Sequence, residues 1–319
     1  MTHSPITGKK LYIQEVSVRD GFQIEPRFIP TEQKIELINA LSRTGLAKIE
    51  VTSFTSPKAI PNLADAEAVM QQIDRIDGVL YAVLVPNVRG CERALACGVD
   101  EINLFMSASA THNLANLRMT QEQSLDQFAQ VVRHIDGRAA INASLSTAFG
   151  CPFDGEVPEN VVFDLVQRYL DMGINAVSLC DTTGVANPAQ VERMCAQVRE
   201  RWPELVLTAH FHDTRAMGLA NVLAALRAGV DRFDASLGGL GGCPFAPGAS
   251  GNVCTEDMVH MLQAMGYDTG VNLDQLIEIS RLLPEIVGHD VPGQVAKAGP
   301  YTRRYPVPES VRALTGANQ

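Results

Sequence analysis

The chain has 319 residues, 46% of them hydrophobic and 19% charged, which is ordinary for a globular protein and enough for one barrel-sized core. Its formal net charge of −10 argues against nucleic acid or an anionic membrane surface as a partner, since both would repel it. No apolar run reaches the roughly 18 residues of a membrane span, and MTHSPITGKK carries no leader pattern, so the expected location is the cytoplasm.

Taken in order, eight short apolar runs alternate with helical patterns: LYIQEVSV (11–18), AKIEVTS (47–53), VLYAVLV (79–85), EINLFM (101–106), AAINASL (139–145), AVSLCD (176–181), LVLTAHFH (205–212) and RFDASL (232–237). Such alternation predicts parallel βαβ units, and eight of them predict an α/β fold closed as a (β/α)8 TIM barrel. Thr120 with Gln123 reads as a capping box, and Asn187-Pro188 as a helix start. From about Leu273 the pattern adds a short C-terminal helical extension, then a Pro/Gly-containing tail without an assigned role. We therefore expect a barrel domain over 1–290 and a tail over 291–319.

Active sites of such barrels lie at the C-terminal strand ends, so polar residues there carry the functional signal. Arg19 and Asp20 follow the first run, Glu50 lies in the second, and Asp181 ends the sixth. His210 and His212 close the seventh, on one face and about 6–7 Å apart along the strand, where two imidazoles can share a metal ion. After the eighth comes GGLGGCPFAPGASGN, a glycine-rich loop with Cys243 and Asn252. Any one of these has a bland alternative: a helix cap, an ion pair, two hydrogen-bonded histidines, an incidental thiol. Their convergence on one barrel mouth does not. The seven cysteines, an odd number with no CxxC pair, read as reduced thiols.

From VSVRDGFQIE through IEVTSFTSPKAIP, VLVPN, FGCPFDG and SLCDTTGV to HFHDT and GLGGCPFAPGASGNVCTEDMVHML, the chain resembles the 3-hydroxy-3-methylglutaryl-CoA lyases, metal-dependent barrel enzymes related to Claisen-type synthases. The resemblance implies cleavage of 3-hydroxy-3-methylglutaryl-CoA to acetyl-CoA and acetoacetate, an acyl-CoA as the only partner besides a homo-oligomer (dimer or tetramer), and Mg2+ or Mn2+ as cofactor. It further implies Asp20, His210, His212 and Asn252 as metal ligands and Arg19 at the thioester carbonyl, with Gln23 also on the substrate. Cys243 becomes a catalytic thiol, and Glu50 and Asp181 complete the polar shell. Either His210 or Asp181 could take the substrate's hydroxyl proton, and His210 is the favoured base. Lys58 and Asn87 belong to the substrate neighbourhood.

Two motifs depart from the family pattern. RDGLQNE is RDGFQIE here, and HDTYGQALAN is HDTRAMGLAN, with Arg215, Ala216 and Met217 at a helix start. One reading is surface drift; the other is an altered acyl pocket in which Arg215 meets a carboxylate and the substrate becomes citramalyl-CoA or a related 3-hydroxyacyl-CoA. A condensing synthase and a silent scaffold are the remaining rivals.

Overall fold

The computed structural model describes residues 8–242 and 251–315. Eight parallel strands close on themselves in chain order: β1 (Tyr12–Glu15), β2 (Lys48–Ser53), β3 (Leu80–Leu84), β4 (Glu101–Ser107), β5 (Ala140–Ser146), β6 (Ala176–Asp181), β7 (Val206–Phe211) and β8 (Arg232–Ala235), with β8 pairing β1. All eight expected strands are present, and the (β/α)8 barrel is confirmed. Thr120 and Gln123 form the capping box, and the Asn187 side chain accepts from the Gln190 amide at the start of the helix Pro188–Arg201.

Side-chain alternation separates two interiors. Outward positions such as Ile13, Ile49, Val51, Ile102, Leu104, Val177, Leu179 and Leu207 are fully buried under the helices and form the hydrophobic core. Inward positions are polar. Gln14 donates to Thr208, Asn103 to Glu50, and Asn142 to both Asn103 and Ser178, so the bore is held by hydrogen bonds between strands. Buried polar groups stay only where they are paired, and pairing across strands fixes their orientation.

The first strand is shorter than its apolar run suggests. It stops at Glu15, and Ser17–Gly21 winds into one turn of π-helix whose amides from Arg19, Asp20 and Gly21 converge on the Val16 carbonyl. Glu15 causes the break: its buried carboxylate accepts from the Ser17 and Leu237 amides and from the Thr255 hydroxyl. One side chain thereby fixes both the turn carrying Arg19 and Asp20 and the start of the glycine-rich loop.

Past β8, the helices Thr255–Ala264 and Leu273–Ser280 pack against the barrel. Residues 291–299, which the sequence assigns to a tail, are bonded to it as well. The Gly293 amide donates to the Gly238 carbonyl, the Asp257 carboxylate accepts from the Gln294 and Val295 amides, and Val291 and Ala296 are buried. Exposure begins near Tyr301. Among the described residues, no helix is long and apolar enough to cross a membrane.

Candidate active site

A cavity of about 940 Å³ opens at the C-terminal ends of the strands, within the size range of small-molecule and cofactor sites. Arg19, Asp20, Gln23, His210 and His212 line it, and so do Lys58 and Asn87.

On its floor, one ligand atom each from Asp20, His210 and His212 lie within 4.8 Å of one another, and all three side chains are buried. Asn252 joins them through an isolated antiparallel bridge: His212 pairs with Asn252, the Val253 amide donates to the Phe211 carbonyl, and the Asp213 amide to that of Gly251. The Asn252 side-chain amide then donates to Asp20 Oδ2 at 2.7 Å and to the Leu240 carbonyl at 3.0 Å. Its Oδ1 is left buried without a hydrogen-bond partner among the described residues. Orphaned buried acceptors are rare because losing water without a replacement costs roughly 1–3 kcal/mol, so an atom of this kind beside two imidazoles and a carboxylate marks a place for a cation. A donor set of oxygen and nitrogen without thiolate suits a hard or borderline divalent ion. Gly241 makes the approach possible: at φ +114°, a Cβ there would meet Asn252 Nδ2 at 2.4 Å and Asp20 Oδ2 at 3.1 Å.

Arg19 is held as a fork. Its Nε donates to Glu50 Oε2 and its Nη1 to Asp20 Oδ1, while Gln23 donates to the same Asp20 oxygen at 3.0 Å. Glu50 is anchored from below by Asn103 at 2.8 Å, and Asn103 in turn by Asn142 and Ser144. Glu50 therefore orients the arginine from beneath the cavity floor rather than facing the substrate. Burial pulls the Arg19 guanidinium down, but Glu50 and Asp20 outweigh it and hold it firmly charged. Burial likewise pushes the Asp20 carboxyl up, and Arg19, then His210 and His212, bring it below its ordinary value.

Asp181 lies beside this group without lining the cavity. Strand register pairs Cys180 with His210 and Asp181 with Phe211, so Cys180 faces the cavity and Asp181 turns away from it. Its Oδ1 accepts from the Val185 and Ala186 amides and organises the loop after β6. Burial raises its pKa to about 6, partly offset by those amides. Alternation along β6 gives the cavity wall to residue 180, while Asp181 lies buried behind it, near enough for the His210 charge to lower its pKa and with Oδ2 lacking a hydrogen-bond partner among the described residues. Arg215 is also outside. It is exposed, its Nη1 donates to the main-chain carbonyls of Thr183 and Gly184, its charge helps lower the pKa of the Asp181 carboxyl, and it is not among the residues lining the cavity. Cys243 lies outside the described residues; its neighbour Gly242 borders the cavity.

The sequence reading overlooked Asp234. It lies opposite His210 in the β7–β8 register, lines the cavity, and its Oδ2 is 3.2 Å from His210 Nδ1. The signal was available in RFDASL, where a carboxylate falls at an inward-facing position of the eighth strand.

A closed (β/α)8 barrel with a carboxylate, two imidazoles and an unpaired amide oxygen beside a buried arginine is a barrel enzyme with a candidate metal site at its catalytic mouth. The HMGL-like family model matches residues 10–283. A hydroxymethylglutaryl-CoA lyase of Bacillus subtilis is 48% identical over 287 residues, covering 90% of this chain and 96% of the relative, and the human cytoplasmic 3-hydroxy-3-methylglutaryl-CoA lyase is 42% identical over 289 residues, 90% and 78% of the two chains. Among solved structures, an HMG-CoA lyase from Acinetobacter baumannii in complex with coenzyme A and 3-methylmalate superposes with a TM-score of 0.91 at 52% identity, covering 97% of this chain and all of that one. The chain belongs to the HMG-CoA lyase family and is a carbon–carbon lyase.

Proposed function

We propose that this chain cleaves 3-hydroxy-3-methylglutaryl-CoA between C2 and C3, giving acetyl-CoA and acetoacetate. The observation carrying this reading is the Asp20–His210–His212 group beside the unpaired Asn252 Oδ1, within one cavity with Arg19. A divalent ion held by Asp20, His210, His212 and Asn252, Mg2+ by preference and Mn2+ as a substitute, would supply the Lewis acidity that eases loss of the substrate's hydroxyl proton. With that proton passed to water in the open cavity, the C3–O bond becomes a carbonyl, the C2–C3 bond breaks, and its electron pair passes to the thioester as an enolate. Arg19 serves the enolate oxygen: Nε and Nη1 are committed to Glu50 and Asp20, and Nη2 has no partner among the described residues. Cys243 is assigned the delivery of a proton to C2, completing the methyl group of acetyl-CoA.

His210 has one ring nitrogen available, because Nδ1 faces Asp234, and we assign that nitrogen to the metal rather than to the hydroxyl proton. The citramalyl-CoA alternative requires Arg215 at the acyl pocket, and among the described residues Arg215 hydrogen-bonds main-chain carbonyls outside the cavity lining. We infer further that the enzyme acts in the cytoplasm, consistent with the six unpaired cysteines among the described residues, and that it self-associates, consistent with exposed Leu282, Tyr301, Tyr305 and Val307.

The test is acyl-CoA turnover followed by mass spectrometry, with 3-hydroxy-3-methylglutaryl-CoA and citramalyl-CoA in separate reactions containing Mg2+, Mn2+ or EDTA. Metal-dependent release of acetyl-CoA and acetoacetate from the first substrate is expected. Turnover of the second alone, or turnover insensitive to EDTA, would refute the assignment.

A further inference from the structure

We infer that Asp234 is a positioning residue that fixes the His210 imidazole with Nε2 toward the metal site. This rests on the metal reading of the site given above. The two residues sit side by side on adjacent strands, β7 and β8, in direct register, and both side chains are nearly buried, His210 at 8% and Asp234 at 12% exposure. Their contact is His210 Nδ1 to Asp234 Oδ2 at 3.2 Å. With Oδ2 as acceptor, Nδ1 carries the hydrogen and donates it, which leaves the lone pair on Nε2. In a neutral imidazole only that second nitrogen can bind a cation, and the carboxylate makes it a stronger donor while holding the ring plane.

The neighbours make this contact decisive. His212, whose ring centroid is 5.3 Å from that of His210, is held in place by the bridge to Asn252, and Asp20 is held by Arg19, Gln23 and Asn252. Among the described residues, Asp234 makes the one side-chain hydrogen bond to the His210 imidazole. A consequence follows for the chemistry: with Nδ1 bonded to Asp234 and Nε2 on a metal, both ring nitrogens are occupied, and His210 takes no proton from the substrate.

The experiment is calorimetric titration of Mn2+ into the wild-type protein and the variants Asp234→Ala, Asp234→Asn, His210→Ala and the double variant Asp234→Ala/His210→Ala, without substrate. Asp234→Ala is expected to weaken Mn2+ binding by about 10- to 100-fold. Asp234→Asn, whose amide oxygen can still accept from Nδ1–H, should recover part of that loss. Added to His210→Ala, the Asp234 change should cost nothing further, because it acts only through the imidazole. Wild-type affinity in Asp234→Ala, or losses that simply add in the double variant, would overturn the proposal while leaving the metal site standing. No Mn2+ binding by the wild-type protein would instead remove the metal reading itself, and the positioning role with it.

Discussion

Asn252 and Asp20, 232 residues apart in the chain, meet at 2.7 Å across the seam where β8 closes on β1. The amide nitrogen orders the carboxylate, and the amide oxygen is left for a cation. Replacing Asn252 by Ala therefore removes a ligand and frees Asp20 at once. Mn2+ affinity measured by calorimetry should fall at least 10-fold, and His212→Ala should fall comparably. Unchanged affinity in either would place the metal elsewhere.

Gly241 is the backbone counterpart of that pair. Ala at this position carries a strained φ of +114° and drives a methyl into Asn252 Nδ2. We expect Gly241→Ala to lower metal affinity on the order of 10-fold while the thermal unfolding midpoint moves little, since the loop is remote from the hydrophobic core. Normal metal titration by this variant would show that the close approach is incidental.

Cys243→Ala tests the proton donor. A positioned general acid contributes about 10²- to 10⁴-fold, so turnover should fall by that order with metal affinity retained. Wild-type turnover would exclude the thiol from the mechanism.

Arg215→Tyr restores the residue of the family pattern at a position that hydrogen-bonds the carbonyls of Thr183 and Gly184 outside the cavity lining. The ratio of kcat/KM for 3-hydroxy-3-methylglutaryl-CoA and citramalyl-CoA should not change. A shift in that ratio would mean that the loop it braces, rather than the cavity wall, carries specificity.

Glu15 predicts a pH dependence of stability. Burial raises its pKa from an ordinary 4.5 to about 7, against the opposing bonds from Thr255, Leu237 and Ser17. Between these values the folded chain holds a proton that the unfolded chain releases, so the contribution is fully present below about pH 4.5 and is lost as pH rises through about 7. Its size is on the order of 3 kcal/mol. Glu15→Gln keeps an acceptor for the two amides and does not titrate. The stability of wild type relative to this variant, from urea unfolding, should decline between pH 5 and pH 8; a flat difference would show that Glu15 is ionised throughout.

The sequence by itself determined the eight strands and the mouth to which the functional residues belong, because strand runs, glycine loops and strand-end polar residues are local patterns. It also contained the inward facing of His210 and Asp234 and the outward facing of Asp181, since alternation along a strand is a fixed property of the backbone. Only the tertiary structure decided that Asn252 bonds Asp20, that Glu15 ends β1 early, and that Arg215 reaches the loop after β6. Each of these contacts joins segments distant in sequence, created by barrel closure or by packing between neighbouring loops, and no local pattern in the chain encodes the distance across a seam.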